Sequence, residues 1–210
     1  MSTAPVLESA LVFADLRDAH DTLMASRKSP REVRRAFVRF VDLSQKLTSI
    51  MRKDFSRLGF GDWEASKFDA WTPVTGLLKH LRNEDQHAHQ IYISVHERRY
   101  FSVPENLPPG FARPAANAFV FEGTWELTNQ LLEDPPDGIE TFEINPMTGN
   151  ATGNPMPLLK LERFYILQAR TDKTRELVQA AGLVDVHAIS ASAFATLSEY
   201  FKFFSEKTAA

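Results

Sequence analysis

Apolar residues recur three and four positions apart along both ends of the chain, and alternate only in its middle. The first pattern is that of amphipathic helices and the second that of strands. Over residues 10–24, Leu11, Val12, Leu16, Ala19 and Leu23 mark a first helix. Ser29-Pro30-Arg31-Glu32 then reads as a capping box with proline at the first helical position. The helix it opens carries Val33, Phe37, Phe40, Val41, Leu43, Leu47, Ile50, Met51, Phe55 and Leu58, and should stop at Gly59. Gly59-Phe60-Gly61-Asp62 is a break, and residues 63–71 form a short helix. Thr72 as N-cap and Pro73 as first residue start a further helix over 72–92, with Val74, Leu77, Leu78, Leu81, Ala88, Ile91 and Tyr92 on its apolar stripe.

Beyond residue 92 the pattern changes. Residues 90–103 mix β-branched and aromatic side chains, and a proline-rich loop fills 104–114. Residues 118–127 and 139–144 read as strands divided by the turn-rich segment 133–138. Residues 145–157 read as a turn or flexible loop that returns into a strand at 158–169. A helix over 172–181 should end at Gly182. A last helix over 190–205 sets Phe194, Leu197, Phe201 and Phe204 on one stripe and should pack back on the N-terminal helices. The pattern predicts a single, mainly α domain: a helical bundle (10–92), a mid-chain β-rich insertion (93–170) and C-terminal helices (171–207).

Composition narrows the functions open to such a chain. Hydrophobic residues make up 43% and charged residues 24%, ordinary values for a globular protein, and 16 Phe with 3 Trp supply a core. A net charge of −3 argues against a broad nucleic-acid coat but leaves room for a local basic site. The absence of cysteine removes disulfides, thiolate zinc sites and cysteine nucleophiles. The N-terminus lacks the form of a signal peptide, and no window has the roughly 20 apolar residues of a membrane helix. A cytoplasmic location without membrane contact follows as the expectation. The sequon at Asn150 then has no meaning. Nucleotide-binding glycine motifs and a Gly-x-Ser-x-Gly elbow do not occur.

Chemistry gathers on the helix over 72–92. Around its apolar stripe lie His80, Arg82, Asn83, Glu84, Asp85, Gln86, His87, His89 and Gln90. Arg82-x4-His87 with Asn83 directly after the arginine, late in an α-helical bundle, resembles the motif of the HEPN superfamily of α-helical ribonucleases and nucleotide-binding modules. The resemblance covers the helical parts. It implies metal-independent RNA cleavage in a toxin-like or defence role, at a cleft between the two copies of a homodimer, with RNA as substrate and a neutralising protein as partner. No cofactor is implied. Arg82 would hold the phosphate and His87 would move protons, while Asn83 orients the pair. Glu84, or Asp42 from the long second helix, would polarise the histidine. On a straight helix five residues set Arg82 and His87 roughly 140° apart, so they straddle a face, and a two-fold axis could bring two such faces together.

Two other readings stay open. His80, Glu84 and His87 at i, i+4 and i+7 could share one metal ion, although a di-iron bundle would need a second Glu-x-x-His that the chain lacks. The helix could also serve a non-catalytic dimeric binding module. His89 and His96 read as bystanders. The run Arg31, Arg34, Arg35 and Arg39 reads as a solvated face. Trp63, Trp71 and Trp125 read as core or interface aromatics rather than base-stacking platforms.

Overall fold

A computed structural model describes residues 7–26, 29–86, 91–102, 118–127, 142–144, 151–155 and 158–209. Among them are five α-helices: α1 Glu8–Ala25, α2 Pro30–Arg57, α3 Pro73–Gln86, α4 Asp172–Ala181 and α5 Val186–Thr208. Five strands complete the list: β1 Ile93–Ser102, β2 Ala118–Leu127, β3 Phe142–Ile144, β4 Ala151–Pro155 and β5 Leu158–Leu167. The chain divides into two compact units, Met1–Ile93 with Tyr165–Ala210, and Ser94–Phe164.

The first unit is the helical one. Ser29 accepts from Glu32 N at 3.4 Å and Pro30 opens α2, as a capping box should. α2 runs 28 residues and buries Val33, Phe37, Phe40, Val41, Leu47, Ile50 and Met51. α5 packs on α1, α2 and α3. Tyr200, Phe204, Phe37 and Phe40 are fully buried, each worth about 1.5–3 kcal/mol of transfer free energy. In α1 the core position is Phe13, stacked on Phe201 at 4.3 Å, whereas Leu11 is exposed. The first turn of α1 gains a partner from another helix: buried Asp54 of α2 accepts from Ser9 N at 2.8 Å and from Arg57 at 2.9 Å.

Several expectations need correction here. Helical structure is described only as far as Gln86, not Tyr92. Ile91 and Tyr92 lie in the segment leading into β1 because their backbone groups are bound elsewhere. Ile91 N donates to Asp85 Oδ1 at 3.3 Å, Ile91 O accepts from Arg34 Nε at 3.2 Å, and Tyr92 O accepts from Gln168 N at 2.9 Å. The expected short helix at 63–71 is a single 3₁₀ turn, Ala65–Lys67. α5 begins at Val186, four residues before the expected start. Asp185 caps it, accepting from His187 N at 3.0 Å and Ala188 N at 3.1 Å.

The second unit is β-rich. β2, β1 and β5 form one sheet in that order, and β3 pairs antiparallel with β4. β4 lies inside the stretch expected to be loop. Its Ala-Thr-Gly-Asn-Pro sequence has little strand propensity of its own, and pairing of Ala151 with Ile144 and Pro155 with Phe142 draws it into a sheet. On β1, Glu97 is fully buried and takes Arg99 Nε at 2.9 Å and Arg163 Nε of β5 at 2.6 Å.

Candidate functional site

Two polar stripes line an open cleft of about 860 Å³ between α2 and α3. On α2 the stripe runs through Asp42, Lys46, Ser49 and Lys53, and on α3 through Thr75, Lys79 and Arg82. Both sets repeat at three or four residues, so each helix turns its apolar face to the core and this face to the cleft. Among the described residues five cations reach the cleft (Lys46, Arg52, Lys53, Lys79 and Arg82) against one carboxylate, Asp42. A chain of net charge −3 therefore carries a strongly cationic hollow, and low-dielectric walls focus the field of such clefts. Asp42 also borders a second hollow of about 430 Å³ with Arg34, Arg35, Arg39 and Asp85. The basic run of α2 thus continues the first cleft, although Arg34 is partly committed to the Ile91 carbonyl.

Asp42 is the perturbed carboxylate of this cleft. Its side chain keeps an exposed edge, yet partial desolvation beside the helices raises its pKa above the ordinary carboxylate range. The negative charge of Asp85 raises it further, and Arg82 pulls it down. Arg82, half-buried, and Asp42 are therefore electrostatic neighbours across α2 and α3. Tyr200 closes the back wall. Burial pushes its phenol up, against the opposing effects of the Trp63 hydrogen bond and the Arg52 charge, so it stays a neutral hydroxyl.

The other expected site residues part company. Asn83 is exposed. Glu84 faces α4: its Oε1 accepts from Thr171 Oγ1 at 2.7 Å and its Oε2 from Thr174 Oγ1 at 2.9 Å. Thr171 is itself the N-cap of α4, so Glu84 joins α3 to the start of that helix. His80 Nε2 stands 3.1 Å from Glu84 Oε1 but out of line for a hydrogen bond. His87 and His89 lie outside the described residues, as does the His87 limb of the metal reading. Among the described residues no group of three His, Asp or Glu side chains could hold a metal ion. Among them, too, no helix is long and apolar enough to cross a membrane.

Trp63 sits among Phe55, Tyr200, Phe203 and Phe204, and its Nε1 donates to the Tyr200 hydroxyl, a core role as expected. Trp71 differs. It is half-buried and lines the cleft, with its Nε1 bound to Ala65 O at 3.0 Å. The cleft that it lines is also lined by basic residues, which come from α2 and from later turns of α3, where adjacency in sequence does not show them. The Glu97–Arg99–Arg163 cluster of the second unit leaves only a weak signal in the sequence, opposite charges two positions apart on one strand.

No family model, curated protein or solved structure matches the chain. Its function is to be read from the cleft itself.

Proposed function

We propose that the chain is a HEPN-like, metal-independent endoribonuclease that holds the RNA backbone in the α2–α3 cleft. The observation that carries this reading is the convergence of five cations and one pKa-raised carboxylate on a single hollow of an otherwise acidic protein. In this reading Arg82 grips the scissile phosphate bidentately and offsets the charge of the phosphorane. His87, which directly follows Gln86 at the end of α3, takes the 2′-hydroxyl proton or protonates the leaving 5′ oxygen. Of the two carboxylates open to partner it, Asp42 is favoured, because Glu84 is engaged on both oxygens by threonines of the α4 N-terminus. Asn83, exposed next to Arg82, would orient the pair, as the resemblance implies. The resemblance further implies a homodimer whose two copies bring their Arg82 and His87 together in one cleft, a neutralising protein partner and a toxin or defence role.

The test is cleavage of a mixed RNA pool in EDTA by wild type, Arg82→Ala and His87→Ala, with folding checked by thermal melts. Wild type is expected to cleave and each variant to lose about 10²-fold or more. Binding without cleavage would leave the cleft as the RNA site of a non-catalytic module. Absence of binding would overturn the reading.

A further inference from the structure

Gripping a phosphate needs cations, but it does not need the room this cleft offers. Its 860 Å³ is the volume of a site for a whole small molecule rather than for a single anion. Part of that room is made by Gly76. The residue lies inside α3, lines the cleft, and a Cβ built on it would meet no atom within 4 Å. Glycine weakens a helix interior relative to alanine, and here no neighbour in the protein requires it. Its missing side chain leaves space open to the cleft.

Trp71 lines the same cleft. Its ring is held by the Nε1 bond to Ala65, by Tyr200 at 4.4 Å and by the edge-on contact with Phe68 at 5.1 Å, so it is fixed before any ligand arrives. Lys79 and Arg82 extend from this end along α3, with Arg52 and Lys53 on α2. A fixed aromatic ring in a cleft that cations of two helices also line is the arrangement that proteins use for single strands, where bases stack and phosphates pair with charge.

We infer that the cleft seats one unpaired base of single-stranded RNA against Trp71, in the space left by Gly76, while the cations that line it hold the flanking phosphates. The inference rests on the proposed function for the identity of the ligand. It adds a base subsite, and with it a preference for single strands over duplex, whose bases are stacked inside the helix.

The test measures binding by the full chain of a fluorescein-labelled 2′-O-methyl single strand, which lacks the attacking hydroxyl and survives the assay. The same strand in duplex form and inorganic polyphosphate are the comparison ligands. Wild type is expected to prefer the single strand. Gly76→Met, which fills the space and removes no charge, is expected to lose about tenfold in single-strand affinity, close to 1.4 kcal/mol, and to bind polyphosphate as wild type does. Gly76→Ala is expected to raise Tm by about 2–4 °C and to lose affinity in the same direction, which guards against misfolding of the larger variant. Equal binding of single strand and duplex by wild type, or unchanged single-strand binding by both variants, overturns the base subsite and leaves RNA binding intact. An equal loss of both ligands in Gly76→Met also overturns it. No single-strand binding by wild type defeats the proposed function itself.

Discussion

Glu84 and Asp42 show how far identical chemistry can diverge with surroundings. Glu84 receives a threonine hydroxyl on each oxygen, and these bonds hold α3 to the start of α4. Asp42 faces Asp85 across the α2–α3 contact, and desolvation with that like charge disfavours its ionised form. The direction sets a pH dependence. A carboxyl whose folded pKa is raised binds more protons folded than unfolded, so stability falls as pH rises from the ordinary carboxylate range through the raised value. Asp42→Asn is therefore expected to melt above wild type at neutral pH, with the two curves meeting below the ordinary carboxylate range. Thermal melts across that range check it, and a variant that melts below wild type at neutral pH would contradict the shift. The same substitution should tighten polyanion binding by removing a negative charge from the cleft. Cleavage should nonetheless fall if Asp42 partners His87.

At the level of elements, two helix starts carry the same capping chemistry with different consequences. Ser29 caps α2 through a long 3.4 Å bond, and its sequence signature of proline and glutamate is complete within four residues. Asp185 caps α5 with one oxygen bound to two N–H groups, and its other oxygen accepts from Tyr165 N of β5 at 3.1 Å. That second bond spans 20 residues and ties Tyr165 to the start of α5 within the helical unit. Asp185→Ala is expected to cost about 2–3 kcal/mol, since it removes a cap and leaves a tertiary N–H without its acceptor. A two-state melt should show Tm lower by roughly 5–10 °C; a shift under about 2 °C would mean that water replaces the carboxylate. β4 makes the complementary point. Its residues carry no strand signal, and only the partner β3 makes them one.

Across the whole molecule, charge is distributed rather than abundant. A chain of net charge −3 sets five cations on one cleft, so polyanion binding should be strongly salt-dependent although the protein as a whole is acidic. With four or five phosphates neutralised on a single strand, log K should fall with log salt at a slope of about −3. Titrations at several salt concentrations measure it, and a slope near zero would remove the phosphates from the cleft. The same distribution separates what could be read early from what could not. Helical spacing, the capping box at Ser29 and the stop at Gly182 are local, set by backbone hydrogen bonding within a few residues, and the sequence by itself determined α1, α2 and α4 nearly to the residue. It also marked Arg82 and Asp42 as candidates. Only the tertiary structure decided that Glu84 serves α4, that Ile91 and Tyr92 leave the helix for Asp85, Arg34 and Gln168, and that Trp71 and Gly76 share a cleft with cations of α2. Those outcomes depend on which groups meet across long stretches of chain, and side-chain partnership over such separations leaves no periodicity to read.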